Sequence, residues 1–165
     1  LGELCALRWR DIDTEEGVLH IRHTLQRVQN LPEQVAKLGK TRLLLDTPKN
    51  HKERTIPIHP QLRSWLEVKK KLHSDADFVL SGSLKPVEPR TMTSRFKKFC
   101  ETHGLRDFKF HTLRHTFATR CVESGMDIKV LSELLGHSSV KITLDRYVHP
   151  SMEYKKSQIS SLCMS

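Results

Sequence analysis

The stretch HTLRHTFATRCVESGMDIKVLSELLGHSSVKITLDRY, from His111 to Tyr147, constrains this chain more than any other. It concentrates His111, Arg114, His115, His137 and Tyr147, residue types that handle phosphate, in one helical region. Its punctuation predicts three short helices. One follows Thr112 and ends near Ser124, with Gly125 suited to the left-handed position after a helix end. A second starts behind Asp127 as N-cap and stops at Gly136, and Ser138 or Ser139 caps a third that carries Ile142, Leu144, Tyr147 and Val148. Apolar residues at Leu113, Phe117 and Cys121, then at Val130, Leu131, Leu134 and Leu135, recur at helical steps and predict core faces.

At 165 residues the chain suits one domain. Its net charge of +9 favours a polyanionic partner, and an aromatic content of only 6% points to duplex phosphates over stacked single-stranded bases. The sequence contains no apolar run long enough to span a membrane and no signal-peptide pattern, so the expected location is the cytoplasm. Cys5, Cys100, Cys121 and Cys163 are too scattered for a zinc ribbon and are expected as free thiols. His111 and His115 have the spacing of paired metal ligands. The residues between them are Thr-Leu-Arg, however, and an arginine beside a dication is repulsive, so neither metal nor cofactor is expected.

From the start, LGELCALRWRDID reads as a helix with Leu1, Leu4, Leu7 and Cys5 on one face. VLHIRHTLQRV, TRLLLDTP and RTIPIH read as strands, the last two as a hairpin across a polar turn containing Lys49 and Lys52. Helices follow from Pro60, with Leu62, Trp65, Leu66 and Leu72 near helical spacing, and from Pro89. The second has Met92, Phe96 and Phe99 inward and Arg90, Arg95, Lys97 and Lys98 outward, a basic face suited to DNA backbone. The expected fold class is α+β, mainly helical, with helices packed on a small three-stranded antiparallel sheet.

Three motifs then occur in order: H-x-L-R-H at residues 111–115, L-G-H at 135–137, and a tyrosine ten residues after that histidine. Together they resemble the C-terminal catalytic domain of the tyrosine recombinases, the phage integrase family. The resemblance implies a site-specific recombinase or integrase of a phage or mobile element, acting on double-stranded DNA as a homo-oligomer, a tetramer, through a covalent phosphotyrosyl intermediate. Tyr147 is then the nucleophile, Arg114 the phosphate clamp, His111 a proton acceptor or phosphate donor, and His137 a donor to a non-bridging oxygen. Lys49 resembles the family's general acid, with Lys52 as runner-up for that role and otherwise a DNA contact. His115 is read as a structural hydrogen-bonding residue, and Glu3 resembles a residue that orients the site.

Matching Gly2, Glu3 and Leu4 to the end of a family pattern resembling G-x-R-x-G-E-L puts the family's first arginine immediately before Leu1. Residues 1–165 are therefore expected to be a single catalytic domain, truncated at its N-terminus, without the DNA-clamping domain, folded but inactive by itself. Two other readings stay open: a topoisomerase or resolvase using the same tyrosine chemistry, and a DNA-binding regulator that has kept the fold and lost catalysis.

Overall fold

β-branched and leucine residues favour strands, and Ile12 and Leu19 face each other across the first strand pair. The computed structural model describes residues 1–33, 35, 39–48, 53–105, 108–147 and 152–160. They form two units, Leu1–Leu113 and Arg114–Ser165.

In the first unit, α1 (Gly2–Ala6) leads through a 3₁₀ turn (Trp9–Asp11) into β1 (Ile12–Asp13). β2 (Val18–Ile21) pairs antiparallel with β1 on one side and with β5 (Arg54–Pro57) on the other, giving the order β1-β2-β5. β3 (Thr24–Gln29) and β4 (Thr41–Asp46) form a separate two-stranded antiparallel sheet, in register from Thr24↔Asp46 to Gln29↔Thr41. α2 (Pro60–Lys70) and α3 (Pro89–Thr102) both begin on a proline, whose missing N–H costs nothing in a first turn. Leu7, Trp9, Ile12, Ile21, Ile58 and Leu66 make one core; Cys5, Ala6 and Leu25, with Leu80 and Met92 against them, make another. Asp11 is buried, and its carboxylate accepts the Arg8 backbone N–H at 3.1 Å and the Arg22 guanidinium at 3.2 Å, so the charge is not stranded. A two-pronged ion pair, Arg54 to both carboxylate oxygens of Glu3 at 2.8 and 2.7 Å, ties β5 to α1.

Sheet and helices agree with the expected class, but the pairing differs. The run expected as one strand is interrupted at Arg22 and His23, and its halves join different sheets. β4 pairs with the nearer partner β3, and β5 with β2; the expected β4–β5 hairpin does not form. The N-terminal face also differs. Leu7 is already extended at ψ 130°, which ends α1 after Ala6; Cys5, Ala6 and Leu7 are buried while Leu1 is exposed. On α2 only Leu66 is buried; Leu62 and Trp65 are exposed, as is Leu72 just beyond the helix. On α3 the inward line runs Met92, Phe96, Cys100, one residue every four; Phe99 is 53% exposed and lies against the His103 ring.

The second unit is helical. α4 (Phe110–Glu123) begins in the first unit and continues into it, followed by α5 (Ile128–Leu135), α6 (Val140–Tyr147) and α7 (Met152–Ser160). Gly125 (φ 78°) and Gly136 (φ 69°) take the left-handed conformation expected of them. Each ends its helix with the same pair of bonds: Gly125 to Val122 and Met126 to Cys121, Gly136 to Glu133 and His137 to Ser132. Asp127 caps α5, accepting the N–H groups of Lys129 and Val130, and Ser139, of the two candidate serines, accepts the N–H of Lys141. The core is Ala118, Cys121, Leu131, Leu135 and Tyr147. Phe117 and Val130, expected inward, are about half exposed, because Ala118 and Leu131, one position along each helix, take the central line; Leu113 is about half exposed as well, and Val148 lies outside the described residues. Cys5, Cys100 and Cys121 are free thiols, and burial pushes the Cys5 and Cys121 thiols up, away from the reactive thiolate; Cys163 lies outside the described residues. Among the described residues no helix is long and apolar enough to cross a membrane, and no group of three or more His, Cys, Asp or Glu is placed to hold a metal.

Candidate functional site

The Leu-Gly-His sequence ends α5 and aims its histidine in one stroke. Gly136 supplies the positive φ, and the bond from the His137 N–H to the Ser132 carbonyl at 3.0 Å fixes the backbone from which the imidazole projects. An alanine at 136 forces a Cβ into left-handed backbone. Gly136→Ala is therefore expected to lower unfolding stability by about 1–2 kcal/mol, read as a shifted urea midpoint with an unchanged slope; an unshifted midpoint would contradict this role.

Arg114 is held from the same place. Its Nη2 donates to the Leu135 carbonyl at 2.6 Å, one of the last carbonyls of α5, which has no partner inside the helix and carries the negative end of the helix dipole. A guanidinium carries five N–H donors, so this anchor leaves the fork able to meet an anion.

His137 Nδ1 lies 2.8 Å from the Thr143 hydroxyl on α6. Its pKa is lowered, first by burial and then by the positive charges of Arg114 and Arg146, so the ring is neutral at neutral pH. α6 ends on Tyr147, only 8% exposed. The Tyr147 ring lies parallel to that of His137, at 6° and 6.3 Å between centroids, and is met at a tilt by His115 at 5.5 Å. Its hydroxyl oxygen is buried and has no hydrogen-bond partner among the described residues.

Of the expected residues, Arg114, His137 and Tyr147 thus gather in the second unit, joined by His115, expected only as a structural residue. His111 lies in the first unit, exposed on the first turn of α4. Arg90, Arg95, Lys97 and Lys98 are all exposed on α3, with Lys97 3.6 Å from Glu101. Lys49 and Lys52 lie outside the described residues. Thr143 was missed. Its signal was present: a polar residue four before Tyr147, on the buried line of a helix whose other core-facing residue is the tyrosine.

The arrangement joins an anchored cation, a neutral imidazole and a phenol that has no competing partner among the described residues. That is a set able to receive a phosphate oxygen and present a nucleophile to phosphorus.

Comparison with known proteins matches residues 1–154 to the phage integrase family. The chain is 31% identical to a protein named tyrosine recombinase XerC-like from Caldanaerobacter subterraneus, covering 98% of this chain and 45% of that protein. It is 29% identical to transposase A from transposon Tn554 of Staphylococcus aureus, covering 97% and 42%. Among solved structures it is similar to the Tn1549 transposon integrase bound to a circular intermediate DNA, with a TM-score of 0.71, 25% identity and coverage of 98% and 54%. The same integrase bound to transposon right end DNA gives a TM-score of 0.74 at 23% identity, covering 96% and 53%. The chain spans about half the length of the relatives it matches.

Proposed function

Since this chain belongs to the phage integrase family, we propose that it carries the catalytic machinery of a site-specific DNA recombinase, with Tyr147 as nucleophile. The observation that carries this reading is the pair of His115 and His137 rings about Tyr147, whose hydroxyl is buried without a hydrogen-bond partner among the described residues, with Arg114 anchored on the Leu135 carbonyl and its charge felt by His137.

In the proposed step the Tyr147 oxygen attacks a DNA phosphorus, a phosphotyrosyl bond forms, the bond to the departing sugar oxygen breaks, and that oxygen takes a proton. A free phenol has a pKa of about 10, so only about one part in a thousand is ionised at neutral pH and the attack needs help. Arg114 neutralises charge growing on the non-bridging oxygens. His137, neutral, donates to one of them. His111 accepts the phenol proton or donates to the phosphate, and Lys49 protonates the leaving oxygen. One phosphodiester is exchanged for another, so a hydroxyl from a second strand can reverse the step and reseal DNA without a nucleotide, metal or cofactor. Exchange between two duplexes cuts four strands with one tyrosine each, which supports a tetramer of identical chains on DNA. Tyr147 is covered in the present arrangement, so DNA engagement must expose it.

The similarity to transposon enzymes supports a mobile element as the source of the activity. One family match over residues 1–154, running through both units, supports reading them as one catalytic domain. The test is covalent capture: the full-length gene product, mixed with nicked duplex from its own recombination site and with chelator present, yields a detergent-stable protein–DNA adduct. No adduct, with binding intact, favours a regulator that has lost catalysis. Relaxation of supercoiled DNA by single protomers, without paired sites, favours a topoisomerase.

The exposed basic face of α3 is assigned to duplex backbone. Replacing Lys97 and Lys98 together with alanine is expected to weaken binding and to flatten the slope of log affinity against log salt by about 2, near one for each phosphate no longer neutralised. Cleavage at saturating DNA should not change. The Lys97–Glu101 pair is at the surface and contributes little to stability. An unaltered salt slope would place the DNA elsewhere.

A further inference from the structure

Outside the expected site, Thr143 is fully buried at 0% exposure on α6, and its hydroxyl oxygen lies 2.8 Å from Nδ1 of His137. We propose, resting on the recombinase reading, that Thr143 is a positioning residue that holds His137 in the tautomer with its proton on Nε2, so that the ring presents an N–H donor to a non-bridging phosphate oxygen.

A neutral imidazole has one donor nitrogen and one acceptor, and the partner of one nitrogen decides the role of the other. Burial and the nearby charges of Arg114 and Arg146 keep His137 neutral. A threonine hydroxyl has one hydrogen to give. On α3, Thr93, Ser94 and Thr102 give theirs to the carbonyl four residues back. The Thr143 hydroxyl is paired instead with Nδ1 of His137. With the hydroxyl donating, Nδ1 accepts and Nε2 bears the hydrogen. The opposite tautomer makes Nδ1 the donor and leaves the threonine hydrogen seeking a second acceptor in a place closed to water, which buried polar groups avoid.

The same bond fixes ring orientation. The backbone of His137 is set by its bond to Ser132 and its ring lies parallel to Tyr147, so Thr143 supplies the remaining constraint on which way the imidazole edge points. Thr143 and Tyr147 are four residues apart on one face of α6, and a single helix therefore carries both the nucleophile and the group that orients its neighbour.

The test compares the parent with Thr143→Val, which keeps the shape and loses the hydroxyl, and Thr143→Ser, which keeps the hydroxyl. Nitrogen NMR on histidine-labelled chain without DNA reads the tautomer. Single-turnover cleavage by the full-length gene product at saturating DNA reads the consequence. Parent and Thr143→Ser should show one His137 tautomer with protonated Nε2. Thr143→Val should show both tautomers and cleave about five- to tenfold more slowly, with DNA affinity unchanged. The proposal is overturned if parent His137 is protonated on Nδ1, or if Thr143→Val keeps the single Nε2 tautomer and the parent rate. A parent that forms no adduct sinks the recombinase reading instead, while the tautomer signals still decide the role of Thr143.

Discussion

Tyr147→Phe is expected to abolish covalent capture of nicked DNA while leaving the fold and DNA affinity intact. Phenylalanine fills the same space in the Ala118–Leu131–Leu135 core and lacks only the oxygen. That oxygen has no hydrogen-bond partner among the described residues. A buried polar atom without a partner costs about 1–3 kcal/mol, so removing it should leave thermal stability equal or raise it. The combination is diagnostic. A structural tyrosine loses stability on truncation, whereas this one should lose chemistry alone. The adduct band should vanish altogether, because without the oxygen no phosphotyrosyl bond can form. An adduct surviving in Tyr147→Phe means another side chain attacks.

Arg114→Ala carries the second large effect. Single-turnover cleavage at saturating DNA should fall by about 10² to 10³, the loss typical for one oriented donor at a charge that grows in the transition state. The same side chain holds the Leu135 carbonyl at 2.6 Å, so the alanine variant should also lose some stability at the end of α5. Arg114→Lys separates the two contributions. Lysine keeps the charge but has no planar fork, and cannot hold the carbonyl and a phosphate with fixed geometry at once. It is expected to restore DNA affinity more than rate. Equal cleavage by Arg114→Ala and the parent would refute the clamp.

Local chemistry made part of this molecule legible and distance hid the rest. Gly125, Asp127 and Gly136 were readable because a left-handed φ and an N-cap are settled within a few residues. The motifs on α4, α5 and α6 were readable for the same reason: each is short, and helical spacing fixes its face. Strand pairing was not. Nothing in VLHIRHTLQRV marks the break at Arg22 and His23, and β5 finds β2 across more than thirty intervening residues, where Leu19, Ile21 and Ile56 join the core of Trp9 and Ile12. Core faces were half legible, since Phe99 and Phe117 satisfy the periodicity as well as their buried neighbours do. In the site, Thr143 was overlooked because a threonine in a helix ordinarily bonds its own backbone; only the fold shows that its partner is His137.

The central claim, that Tyr147 becomes joined to DNA, is tested most directly by locating the bond. Adduct from the full-length gene product is trimmed with nuclease, digested with trypsin and sequenced by mass spectrometry. Cleavage after Arg146 and Lys155 releases the peptide Tyr147–Lys155, which holds both tyrosines of this chain, Tyr147 and Tyr154, so fragment ions must distinguish them. The expected result is a nucleotide phosphate on Tyr147. Its presence on Tyr154, on a serine, or on any peptide other than this one would contradict the claim.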